Sequence, residues 1–168
     1  MATKTAFDDL GPEANKTVDE FMESAAHNFN LSPSATPPKA PADMGPPKDA
    51  HEAKERGNAC YKARQYAEAV GYYEQAIKMC DDTEQLKIYY SNRSAAYFGL
   101  KMFIESRSDA IKCTELDSMW AKGWYRKGLA EEGLEKYHDA EESFRMGVDC
   151  APRDEALQRA LQEVKMML

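Results

Sequence analysis

No stretch of this 168-residue chain approaches the roughly 20 consecutive apolar residues of a membrane span, and Met1 to Leu10 lacks an apolar signal core. A non-secreted, cytoplasmic protein with no membrane insertion is therefore expected. Basic charge is also short, with 22 Lys and Arg against 29 Asp and Glu and a formal net charge of -7. Such a balance argues against a nucleic-acid binder, which must neutralise phosphates. There is no glycine-rich phosphate loop. The three histidines, His27, His51 and His138, stand far apart, with no carboxylate or cysteine cluster that would make any of them a ligand or base. Cys60, Cys80, Cys113 and Cys150 lack the short paired spacing of zinc or redox sites and read as reduced thiols filling small core positions. No cofactor, no metal and no catalytic set is expected, and the chain is read as non-enzymatic.

The sequence divides by composition. Six of its eight prolines, Pro33, Pro37, Pro38, Pro41, Pro46 and Pro47, lie in a segment spanning 32–49, which reads as a semi-rigid linker. Before it, an arm spanning 1–31 contains a capping box, Thr17-Val18-Asp19-Glu20, followed by an apolar stripe of Val18, Phe21, Met22, Ala25 and Phe29. The pattern predicts a short amphipathic helix over 17–29. Alone it is marginal in water, so it either docks on the repeats, on a second copy or on a partner, or stays flexible.

From Ala50 onward the chain repeats. Units starting at Ala50, Lys87 and Ala121 return the same residue types at the same offsets, counting the first residue as one. Offset eight holds Gly57, Ser94 and Gly128; offset seventeen holds Tyr66, Phe103 and Tyr137; offset twenty holds Ala69, Ser106 and Ala140. Offset twenty-four holds Tyr73, Ala110 and Phe144. The spacing is 37 residues and then 34, with a three-residue insertion around Asp82 to Leu86. A period of about 34 residues, with small residues where two helices meet, predicts a helix-turn-helix solenoid. Asp154 offers an N-cap to a last helix over 155–168, whose stripe of Leu157, Leu161, Val164 and Leu168 would cover the third unit.

Over roughly Ala50 to Leu168 the chain resembles the tetratricopeptide repeat (TPR) family, best in the third unit, where Trp124, Gly128, Tyr137, Ala140, Phe144 and Pro152 fall on the family pattern. The resemblance implies an all-α fold. Three TPR units (50–86, 87–120 and 121–154) and the capping helix would form a short right-handed solenoid behind the N-terminal arm. Offset seven departs from the family's usual leucine, being basic in every unit (Arg56, Arg93, Lys127), and Glu131 stands where an aromatic is usual.

Five donor side chains recur within this frame: Lys54, Asn58, Asn92, Lys122 and Arg126. At about 100° per residue they fall between about 140° and 240° around the first helix of each unit, whereas the packing offsets fall between about 20° and 80°. The donors are expected to be exposed on the groove side. Being of one charge sign, they would require an external anion, and the mixture of ammonium, guanidinium and amide suits carboxylates. The segments around them, Lys54-Glu55-Arg56-Gly57-Asn58, Tyr90 to Tyr97 and Ala121 to Lys127, look like the dicarboxylate-clamp repeats of heat-shock co-chaperones such as the Hsp-organising proteins.

That resemblance implies an adaptor that binds the C-terminal Glu-Glu-Val-Asp tails of the cytosolic seventy- and ninety-kilodalton heat-shock chaperones. The arm would reach a client or second partner. Tyr61, Ala95 and Phe98 are expected beside the peptide, unless Tyr61 and Phe98 instead pack between repeats. The alternative is a TPR scaffold that binds another acidic motif or self-associates through its N-terminal helix.

Overall fold

The computed structural model describes residues 45–168, and the helix expected over 17–29 lies outside them, as does the linker up to residue 44. The described residues form seven α-helices: α1 (Ala50–Lys62), α2 (Tyr66–Lys78), α3 (Thr83–Gly99), α4 (Phe103–Leu116), α5 (Ala121–Gly133), α6 (Tyr137–Cys150) and α7 (Glu155–Lys165). Among these residues there is no strand. Each helix packs on the next, and α3 also touches both α1 and α5. The first helices of successive units are therefore neighbours, which is what aligns their side chains along one surface.

The turn inside each unit is the same. Arg64, Lys101 and Glu135 all occupy offset fifteen, with φ of 60°, 59° and 59°. Each left-handed residue lets the amide after it reach back five residues: Gln65 N to Cys60 O at 2.8 Å, Met102 N to Tyr97 O at 2.9 Å and Lys136 N to Glu131 O at 2.9 Å. This pattern satisfies carbonyls that the end of a helix leaves orphaned. It also fixes the angle at which the second helix departs.

Packing within a unit depends on offset eight. A Cβ on Gly57 would lie 2.6 Å from the Tyr73 ring, and one on Gly128 would lie 2.4 Å from the Phe144 ring. Unit two solves the same contact with different atoms. Ala110 replaces the ring, and the serines at offsets eight and twenty bond across the helix pair, Ser94 Oγ to Ser106 O at 2.8 Å and Ser106 Oγ to Ser94 O at 2.9 Å. All three residues sit in the core, with Ala110 0%, Ser94 0% and Ser106 1% exposed.

Three expectations are refined at the ends of the elements. The insertion between units one and two lengthens a helix, since α3 runs to 17 residues against 13 for α1 and α5. At the C-terminus Asp154 caps α7 through Leu157 N at 3.1 Å. Leu157 and Val164 are buried, but the helix stops at Lys165 and Leu168 is 53% exposed, so Leu168 does not join the stripe. The end of the linker is built into the domain. Arg56 Nη1 donates to Gly45 O at 2.6 Å, Pro47 is buried, and Asp49 caps α1 through Glu52 N at 2.8 Å. All four cysteines are free thiols; Cys60 and Cys113 are buried, and burial pushes both thiols up.

Candidate functional site

The basic residues at offset seven are claimed by the fold. Arg93 holds Asp109 through two bonds, Nε to Oδ2 at 2.7 Å and Nη2 to Oδ1 at 2.8 Å. Burial pushes the Asp109 carboxyl up, and the Arg93 fork opposes that shift. Lys127 donates to Ser143 Oγ at 3.0 Å and lies 3.4 Å from Glu131. Glu131 is wholly buried, yet it accepts from Arg107 Nε at 2.8 Å and from Ser143 Oγ at 2.6 Å. A buried carboxylate is tolerated only when paired and hydrogen-bonded in this way. The acid that replaces the usual aromatic at this position thus belongs to a charge cluster joining α4, α5 and α6.

The five donors present a different picture. Asn58, Asn92, Lys122 and Arg126 are 5%, 2%, 3% and 2% exposed, so the expectation of solvent-exposed side chains is wrong for four of the five. Only the Lys54 side chain, at 17%, keeps appreciable contact with water. A helical wheel registers what a helix packs against in its own unit. It does not register the first helices of neighbouring units, which flank α3 on both sides and wall in the groove floor.

Two of the buried donors, Asn58 and Asn92, are tied to Tyr73. Its hydroxyl donates to Asn58 Oδ1 at 2.7 Å, and Asn92 Nδ2 approaches the same oxygen at 3.4 Å. Burial pushes the Tyr73 phenol well above its ordinary range and keeps it a donor, while the Arg126 charge pulls in the opposite direction. Arg126 and Lys122 likewise oppose the burial that raises the Cys113 thiol. Because Tyr73 donates, the oxygen of the Asn58 amide is engaged and its NH2 is the group left to a ligand. The aromatic at offset twenty-four, Tyr73, therefore does more than fill the helix pair. Its position across from offset nine, where Asn58 lies, was the available signal for this second role.

Two further expectations are corrected. The groove is not of one charge sign, because Lys54 Nζ sits 2.9 Å from Glu55 Oε1. Tyr61 and Ala95, expected beside a bound peptide, are 1% and 0% exposed and belong to the core with Cys60, Ala69, Tyr73 and Ala96. Tyr61 stacks edge-on to Tyr66 at 5.3 Å. Phe98 is only partly buried and rests against Phe103 at 5.3 Å between ring centroids.

Among the described residues no group of three or more His, Cys, Asp or Glu is placed to hold a metal ion. No helix among them is long and apolar enough to cross a membrane. Chemically, the groove offers amide, ammonium and guanidinium donors at low exposure, where attraction to an anion is stronger than in water.

Comparison with known proteins agrees with this architecture. Residues 50–83 match the tetratricopeptide repeat. Over 117 residues the chain is 38% identical to an Hsp70-Hsp90 organising protein of Plasmodium falciparum; the match covers 70% of this chain and 45% of that relative, so the chain spans under half of it. Among solved structures, an Arabidopsis OM64 TPR domain is 31% identical with a TM-score of 0.65, covering 71% of this chain and 96% of that one. The first TPR of Spaghetti, bound to the HSP90 peptide SRMEEVD, is 25% identical with a TM-score of 0.66, over 73% of this chain and 94% of its own. With its recurring left-handed turns and a solved relative covered over nearly its whole length, the chain belongs to the tetratricopeptide repeat family.

Proposed function

We propose that the groove binds the free C-terminal carboxylate of an acidic chaperone tail, and that the protein is a non-enzymatic cytoplasmic adaptor docking on heat-shock chaperones of the seventy- and ninety-kilodalton classes. The observation that carries this reading is the burial of Asn58, Asn92, Lys122 and Arg126 at 2% to 5% exposure on three successive first helices, with Asn92 reaching to 3.4 Å from Asn58. A tail ending in Glu-Glu-Val-Asp offers a terminal carboxylate and an aspartate side chain a few ångströms apart. Lys54 and Asn58 can serve one end of that pair and Lys122 and Arg126 the other, with Asn92 between them. The names of the similar proteins support the partner class, since one is an Hsp70-Hsp90 organising protein and another was solved with an HSP90 peptide.

Each charge-assisted hydrogen bond contributes about 1.5 to 3 kcal/mol. Lys122→Ala should therefore weaken binding of a Glu-Glu-Val-Asp peptide by roughly tenfold or more in calorimetry. Because Lys122 is buried, thermal unfolding of the variant must accompany the titration. Undiminished binding by a folded Lys122→Ala protein would remove the proposal's main support.

A further inference from the structure

Offset six is occupied by Glu55, Asn92 and Arg126 in units one, two and three. Two of these are donors of the proposed clamp, and the third is an acid in the same register. Glu55 is also placed among the donors by its contacts. Its Oε1 lies 2.9 Å from Lys54 Nζ, although consecutive helical residues diverge by about 100° and must bend toward each other to meet. Burial raises the phenols of Tyr73 and Tyr89, and the negative charge of Glu55 adds to both shifts. Tyr73 belongs to α2 and Tyr89 to α3, both of which pack against α1, and it is the 2.9 Å ion pair with Lys54 that sets Glu55 beside the donors.

We infer that Glu55 is a resident carboxylate that competes with the ligand for Lys54. This rests on the reading of the groove as a carboxylate site. In the empty groove Glu55 supplies Lys54 with an anion, and an incoming tail must displace it or share the ammonium. Displacement is easy, because the Glu55 side chain is 47% exposed and can turn into water. Glu55 therefore lowers affinity for every acidic tail and disfavours ligands whose main anchor is Lys54. The groove is left selective for tails long enough to engage the Lys122 and Arg126 end as well, and binding stays readily reversible.

The test is calorimetry of the full chain with a free-acid Glu-Glu-Val-Asp peptide, comparing wild type, Glu55→Gln, Lys54→Ala and the double variant. Glu142→Gln, on the exposed side of α6, makes the same change in net charge elsewhere. A half-exposed ion pair of this kind predicts that Glu55→Gln tightens binding roughly two- to fivefold. The gain should vanish in the Lys54→Ala background and be absent from Glu142→Gln. Unchanged or weaker binding by Glu55→Gln overturns the inference, as does a gain that survives loss of Lys54 or is matched by Glu142→Gln. If wild type binds the free-acid and amidated peptides equally, the carboxylate reading itself fails and takes this inference with it. If wild type distinguishes them and Glu55→Gln does not tighten, only the resident-carboxylate role is lost.

Discussion

Asn58 does two jobs with two atoms. Its oxygen receives the Tyr73 hydroxyl at 2.7 Å, which ties α1 to α2, and on the proposed reading its NH2 serves the ligand. Substitutions that separate the atoms should separate the jobs. Asn58→Ala leaves the buried Tyr73 hydroxyl without this acceptor, which predicts a stability loss of about 1 to 3 kcal/mol by denaturant titration together with lost peptide binding. Asn58→Asp keeps an acceptor for Tyr73 but replaces the donor with an oxyanion. It should remain close to wild type in stability while peptide affinity falls at least tenfold; parallel losses in both measurements would contradict the division. The register of the five residues was legible in the sequence here, because they share one arc of the helical wheel. Their burial was not, since it depends on neighbouring units that a wheel for one helix leaves out.

At the scale of the elements, the fit between offsets eight and twenty-four sets the spacing of each helix pair. A methyl at Gly128 would meet the Phe144 ring at 2.4 Å, whereas one at Gly71 finds nothing within 4 Å. Gly128→Ala should therefore cost about 1 to 3 kcal/mol through overpacking. Gly71→Ala, in the interior of α2, should instead gain roughly 0.4 to 1 kcal/mol by improving helix propensity and stiffening the unfolded chain. Opposite shifts in melting temperature would bear this out, and a neutral Gly128→Ala would show that α5 and α6 can move apart. A second test concerns Arg93, whose removal strands Asp109 at 5% exposure. Arg93→Ala should destabilise by about 3 to 5 kcal/mol, and replacing Asp109 by Leu in the same protein should restore much of that. The repeat offsets made the helix pairs and their contacts readable in advance. The basic offset-seven residues and Glu131 were seen only as departures, because their partners Asp109, Arg107 and Ser143 sit on other helices. The longer α3 was hidden for a related reason: an insertion that continues a helix carries no turn residue to mark it.

The molecule as a whole carries a formal charge of -7, while the proposed clamp cations Lys54, Lys122 and Arg126 stand on α1 and α5. Overall charge would repel an acidic tail, so the proposed recognition has to be local and short-range, made by donors held at low exposure. Gly45 and Asp49 bond to α1, and Pro47 between them is buried. A fragment starting at Ala50 would lose the Asp49 cap and the Gly45 contact, so comparisons of the repeats alone should begin at residue 45. The central claim is that the groove grips a chain terminus and not merely an acidic patch. Calorimetry with one Glu-Glu-Val-Asp peptide, as free acid and as C-terminal amide, tests it most directly. Binding of the free acid with a loss of tenfold or more on amidation is the predicted result. Equal affinity for the two peptides would contradict it.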